Sequence, residues 1–221
     1  MPIIAKQPWE IVQMNWILGL PETSDRNKAI LVAADCHTRY TTTRPSVEAT
    51  SAATTTFFLQ EITLKFGIPI RVHTDNGTHF KVEFDKLCKR WGIQHAWGTM
   101  YYSQSHGRVE RTNELILSRL RRQCSVNWDR SLASALFAIN SKKGRGQKHS
   151  SLELLAGTRG RGPVEVALVN ELNTKWTAEE IKEIPDETME DRVARMARVR
   201  QEHLAAIIIR AKNSHGKQRL I

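Results

Sequence analysis

The sequence predicts an α/β domain built on a mixed sheet, and three observations predict it. Three β-rich segments, at residues 9–18, 29–35 and 40–44, follow one another with short links, the pattern of an antiparallel meander. From residue 47 the apolar period lengthens to that of a helix. After that, short apolar strands alternate with helices. The resulting order, βββαβαβαα, places a meander and parallel crossovers in one sheet covered by helices.

Each element has its own signal. The segment 9–18 alternates loosely and ends at Gly19-Leu20-Pro21. A polar turn at 23–28 leads to the unbroken apolar strand 29–35, and Cys36-His37-Thr38 connects it to a third strand stopped by Pro45. Between 47 and 66, Ala52, Ala53, Phe57, Leu59, Ile62 and Phe66 fit a helical stripe, which Gly67 and Pro69 close. A short strand at 70–73 follows. Residues 80–91 read as a helix with Phe84, Leu87, Cys88 and Trp91 on one face, and 93–97 as the last strand. The polar, aromatic stretch 98–106 reads as a mobile loop. A helix at 107–124 turns Val109, Asn113, Ile116 and Leu120 inward, and another spans 128–140. These elements make one domain over residues 1–163. Residues 164–221 form a charged helical tail, whose helix from about 187 to 212 carries an apolar stripe interrupted by Arg200.

Composition narrows the function classes. The 221 residues carry a net charge of +10, and the whole excess falls within 81–163, the segments on either side each balancing to zero. Charge concentrated in one segment points to a polyanionic partner. Cys36, Cys88 and Cys124 are odd in number and form no short motif, as expected of reduced thiols in a reducing compartment. No apolar run is long enough to span a bilayer, and no secretory signal opens the chain. The expected setting is intracellular, in the nucleus if the polyanion is chromosomal DNA.

Two stretches carry the chemistry. In His73-Thr74-Asp75-Asn76-Gly77-Thr78-His79-Phe80, an apolar run at 68–72 leads into a carboxylate followed by Asn-Gly, which puts Asp75 at a strand end. In Gln104-Ser105-His106-Gly107-Arg108-Val109-Glu110, a second carboxylate lies early in a helix. Two carboxylates brought together from a strand end and a helix suit Mg²⁺ or Mn²⁺, the ions used to move phosphoryl groups. Gln104, Ser105, Arg108, Arg111 and the basic loop Lys142, Lys143, Arg145 and Lys148 are candidate phosphate contacts. Trp97, Tyr101 and Tyr102 border the loop and suit either stacking on a base or packing.

The chain resembles the catalytic core of a retroviral or gypsy-type retrotransposon integrase, a polynucleotidyl transferase of ribonuclease-H-like fold. The likeness runs from Trp9 to about Gly157. It rests on Met14-Asn15, Gly19-Leu20-Pro21, Asp35 with Thr38-Arg39-Tyr40, Phe66-Gly67-Ile68-Pro69, Thr74-Asp75-Asn76-Gly77 with Phe80, Trp91-Gly92-Ile93, Tyr102 to Arg111 with Asn113, Trp128 with Asn140, and Ser151 to Leu155 with Gly157. An Asp-Asn-Gly alone is usually an ordinary turn. This many matches in one order are specific.

In that family three acidic residues hold two metal ions. The resemblance implies that Asp75 bridges the metals and that Glu110 binds one. It also implies DNA as partner, both element ends and target, and a homodimer or larger assembly. Asn76 and Gly77 would shape the turn and lie on the nucleic-acid path. The 34 residues between Asp75 and Glu110 are one fewer than the family's usual gap.

The first acidic position is where the chain departs, because Asn15 stands there. An amide lends a neutral oxygen but no charge and does not bridge two cations. Weakened metal binding and curtailed catalysis are the expectation, with Glu10 and Asp35 the nearest acids in sequence. Ser103 and Ser151 replace the family's usual prolines. No His-His-Cys-Cys zinc module precedes the core and no β-barrel module follows it, so the chain reads as the middle piece of an integrase. The competing readings are a catalytically inactive nucleic-acid-binding or assembly module and, less well matched, a ribonuclease-H-like nuclease.

Overall fold

A computed structural model describes residues 4–98, 103–122, 126–144, 147–158, 160 and 188–218. Strands β1 (Ile11–Ile17), β2 (Ala29–Asp35) and β3 (Thr41–Ser46) form the expected antiparallel meander. On the other side of β1, β4 (Arg71–Thr74) and β5 (Gln94–Trp97) pair in parallel, giving the order β3-β2-β1-β4-β5. Parallel neighbours need crossovers. Helix α1 supplies the first, its α-helical turns Ser51–Phe57 and Leu64–Phe66 flanking a π-helical stretch Phe58–Thr63, and α2 (Glu83–Arg90) supplies the second. Helices α3 (Ser103–Arg122), α4 (Trp128–Ser141), α5 (Ser151–Ala156) and α6 (Met189–Gln218) follow.

Side chains alternate across the sheet, and each face builds a core. Val12, Met14 and Trp16 face Phe57, Phe58, Ile62, Phe80 and Phe84 on the side of α1 and α2. Ile17, Ile30 and Val32 face Ile116, Leu120, Trp128 and Leu132 of α3 and α4. β2 is covered on both faces, which explains why its sequence is apolar without alternation.

Several boundaries differ from the sequence reading, each for a local reason. Helix α1 starts at Ser51 because the Thr50 side chain accepts the Ala53 N–H at 3.1 Å and caps it. Pro45 does not stop β3 but lies within it opposite Ile30, as an edge strand allows. Residues 78–80 form a 3₁₀ turn, so α2 starts at Glu83. Residues 103–106, expected in a loop, are the first turn of α3. Residues 151–156 form a short helix with a complete capping box, Glu153 N–H to Ser150 Oγ at 3.1 Å and Ser150 N–H to Glu153 Oε2 at 2.6 Å.

The tail helix packs on the core. Arg200 Nε and Nη2 donate to the Leu154 and Leu155 carbonyls at 3.0 and 2.6 Å, the orphan acceptors at the end of α5. Met196 covers Gly157, Ile207 is buried, and His203 Nε2 lies 2.9 Å from the His37 carbonyl. The residue that interrupts the stripe is therefore an anchor. Replacing Arg200 with Met is expected to destabilise the chain by about 2 kcal/mol, the worth of a charge-assisted bond to a partly buried acceptor. A urea midpoint equal to that of the wild type would show that this contact holds nothing.

Candidate functional site

The strand register places the site. β1 and β4 run parallel with Ile11 beside Arg71, Val12 beside Val72 and Gln13 beside His73. Asn15 follows two residues on within β1 and Asp75 one residue past the end of β4, so the two strands carry them toward the same end of the sheet. The Asn15 face of β1 is the one α3 covers, since Ile17 and Val32 meet Ile116 there.

The turn after β4 holds the carboxylate. Asp75 Oδ1 accepts the Gly77 N–H at 2.7 Å and lies 3.5 Å from His79 Nε2. The Asp75 side chain is 46% exposed, so one edge of the carboxylate faces outward. Gly77 is required for space: a Cβ there would collide with the His79 ring and come within 2.8 Å of Asp75 Oδ1. Asn76 Nδ2 donates to the Gly98 carbonyl at 3.2 Å, and the Gly98 N–H donates to the Thr74 carbonyl at 2.7 Å. The chain therefore leaves β5 beside Asp75. From Gly98 to Ser103 there are five steps, at most about 17 Å of extended chain, so the start of α3 is tethered to this turn.

Residue 110 lies in the second turn of α3. The side chains of Gln104, Ser105, Arg108 and Glu110 fall outside the described residues. Asn113, three residues beyond Glu110 and so on the same helical face, is described. Its Oδ1 is buried without a hydrogen-bond partner among the described residues, and so is Asn15 Oδ1. Ile116 and Leu120 carry that stripe into the core. Arg111 is exposed.

The fit to a cation is partial. Asp75 offers a charged oxygen and Asn15, in the neighbouring strand, a neutral one without a hydrogen-bond partner among the described residues, a set that suits one hard ion better than a pair. Among the described residues no three His, Cys, Asp or Glu side chains converge on one point. Neither nearby acid replaces the missing charge. Asp35 is 1% exposed, and its two oxygens accept the N–H groups of Trp9, His37 and Thr38 and the Thr38 hydroxyl. Glu10 Oε2 accepts the Lys6 and Gln7 N–H groups in the turn before β1.

The basic loop is not brought to this point. Asn140, near the end of α4, is bonded to both the N–H and the carbonyl of Thr41, at the start of β3. β3 is the edge strand beyond β2 and β1, so Thr41 lies three strands across the sheet from β4 and the Asp75 turn. Lys142, Lys143 and Lys148 are exposed beyond it, where Lys143 bridges to Ser150, and Arg145 falls outside the described residues. Tyr101 and Tyr102 fall outside as well. Trp97 is half-buried against the His95 ring, with centroids 3.9 Å apart, which favours packing over base stacking for it. Sequence reasoning assigned nothing to His79, whose ring Nε2 is buried at the Asp75 carboxylate. Its spacing of four residues from Asp75 was the available signal.

The comparisons agree with this architecture. Residues 5–103 match the Integrase core domain family. The Pro-Pol polyprotein of Feline foamy virus is 30% identical over 178 residues, covering 79% of this chain and 15% of that polyprotein. The Transposon Tf2-3 polyprotein of Schizosaccharomyces pombe is 29% identical over 125 residues, 56% of this chain and 9% of the polyprotein. The chain thus spans less than a fifth of the curated relatives it matches. The HTLV-2 integrase catalytic core domain, solved in complex with magnesium in a trimeric form, shares the fold with a TM-score of 0.54 and 24% identity, over 66% of this chain and 95% of that one. Residues 5–103 thus carry an integrase core domain, the chain is similar to retroviral and retrotransposon polyproteins, and its fold is that of a retroviral integrase catalytic core.

Proposed function

We propose that this chain is a polynucleotidyl transferase domain that binds DNA for integration, 3′-end processing and strand transfer, with its chemistry curtailed at Asn15. The observation that supports the reading is the parallel pairing of β1 with β4, the strands that carry Asn15 and lead into Asp75. Bound Mg²⁺ or Mn²⁺ would supply Lewis acidity at the attacked phosphate and activate water or a DNA 3′-hydroxyl. Asp75, Glu110 and the Asn15 carbonyl oxygen are the groups that would hold it. The Asp75 turn, closed by the Gly77 N–H, orients one carboxylate edge outward. Asn76, Gln104, Ser105, Arg108 and Arg111 would line the phosphate path beside it, fixing the position of DNA without reading its sequence. Lys142, Lys143 and Lys148, beyond the β3 edge of the sheet, would contact a separate stretch of DNA or a second subunit's DNA. The setting is the nucleus, and the working unit is a dimer or larger assembly on element ends and target DNA.

A second reading, a nucleic-acid-binding or assembly module without turnover, is favoured by the neutral oxygen at Asn15. A disintegration assay on branched DNA with Mn²⁺ separates the two. The expected result is weak or undetectable product from the wild type and clear product from Asn15→Asp. Equal turnover in both would mean that the missing charge is irrelevant. No DNA binding by either at moderate salt would remove both readings, and the slope of affinity against salt counts the phosphates engaged.

A further inference from the structure

Beside the Asp75 turn, on the face of the sheet that α1 and α2 cover, three polar side chains from three elements form a closed series. Asp85 of α2 lies with Oδ1 3.1 Å from His95 Nδ1. His95 of β5 has Nε2 2.9 Å from the Thr74 hydroxyl, and that hydroxyl donates to the main-chain carbonyl of Asp75 at 2.9 Å. The His95 side chain is 4% exposed, wedged between Trp97 and the edge of Phe84. Thr74 is 3% exposed, so water does not complete the set.

Counting protons gives the series a direction. An ionised carboxylate only accepts, so His95 Nδ1 carries hydrogen toward Asp85. With a neutral ring, Nε2 is then an acceptor, and the single Thr74 hydrogen must serve either Nε2 or the Asp75 carbonyl. With a protonated ring, Nε2–H donates to Thr74 and the Thr74 hydrogen is committed to Asp75. All three contacts are satisfied together only in that second state. The ionisable groups facing the ring come from α2, where Lys89 holds Asp85 at 2.7 Å and Cys88 lies alongside, while β4 presents Val72 and Thr74. Burial pulls the His95 ring below its ordinary range and the Asp85 bond pulls it back. The Lys89 bond holds Asp85 below the ordinary carboxylate range, so Asp85 is ionised wherever His95 titrates.

We propose that His95 is a positioning residue for Asp75: through Asp85 on one side and Thr74 on the other, its proton is reported to the Asp75 carbonyl and sets the pose of the turn that aims the carboxylate. The relay stands on the contacts themselves, and its consequence for a cation rests on the reading of Asp75 as a ligand.

The test uses the whole chain with Thr74→Val, which removes the hydroxyl at constant shape, and Thr74→Ser, which restores it. The Asn76 amide nitrogen shares its peptide bond with the Asp75 carbonyl, so its NMR shift reports that hydrogen bond without metal. In the wild type and in Thr74→Ser it should move with the His95 ring titration, at a pH below about 6.5; in Thr74→Val it should stay flat. With Asn15→Asp added, Thr74→Val should weaken Mn²⁺ binding by about tenfold, the scale of lost support behind a metal ligand, and Thr74→Ser should not. An Asn76 shift indifferent to His95, or a valine variant that matches the serine one in both measurements, overturns the relay. If Mn²⁺ binds no variant while the Asn76 shift still follows His95, the relay holds and the cation reading falls.

Discussion

Restoring aspartate at residue 15 is expected to tighten Mn²⁺ binding by about 30- to 100-fold, corresponding to ~2–3 kcal/mol. Asn15 lies in β1 and Asp75 directly after the neighbouring strand β4, and on the proposed reading the two share one cation. A unit charge near 4 Å in a partly solvated site is worth roughly 4 kcal/mol toward another unit charge, and more toward a divalent one. Desolvation and repulsion from Asp75 take back a large part. The repulsion has its own signature. Without metal, two carboxylates in one site oppose each other, and Asn15→Asp should lose about 1 kcal/mol of stability. Saturating Mn²⁺ should then return more than was lost, because binding only to the folded state stabilises it. Titration calorimetry and thermal melts with and without Mn²⁺ read both halves. An unchanged Kd in the variant would mean that Asn15 and Asp75 never share an ion.

What could be read from the amino acids follows how local the signals are. The meander and the strand end at Asp75 were legible because alternation, apolar runs and Asn-Gly punctuation are written within a few residues. The start of α3 was not, since Ser103 to His106 carry no periodicity and a polar run looks the same in a loop or in an exposed first turn. Arg200 read as a flaw in a stripe because its acceptors, the Leu154 and Leu155 carbonyls, are more than forty residues away. The same limit applies to charge. The whole +10 excess falls within residues 81–163, yet the start of α3 follows β5 at one edge of the sheet while Lys142, Lys143 and Lys148 lie beyond β3 at the other. That the strand bearing Asn15 pairs with the one leading into Asp75, sixty residues on, is a property of the sheet, and so the likeness to a family suggested it before any periodicity could.

Asp35 presents the opposite case, an acid close to the site in sequence and committed to structure. Asp35→Asn is expected to cost about 3 kcal/mol or more, among the largest losses available from one atom's change. Asp35 Oδ1 accepts the N–H groups of Trp9 and His37, at 2.9 and 3.1 Å. Oδ2 accepts the Thr38 N–H at 2.9 Å and the Thr38 hydroxyl. Every one of these partners is a donor. An amide would turn its NH₂ either toward the Trp9 and His37 N–H groups or toward the Thr38 N–H, with only the Thr38 hydroxyl able to turn and accept, so one or two buried donors are left unsatisfied, each costing about 1–3 kcal/mol. The damage would spread, because this carboxylate ties the segment before β1 to the β2–β3 turn, and His37 in that turn meets α6 through His203. Glu10→Gln, by contrast, changes an exposed turn acceptor and should cost less than about 1 kcal/mol. Urea denaturation of the two variants side by side separates the roles. If Asp35→Asn keeps its stability and instead loses Mn²⁺ affinity in the Asn15→Asp background, then Asp35 serves the cation and not the turn.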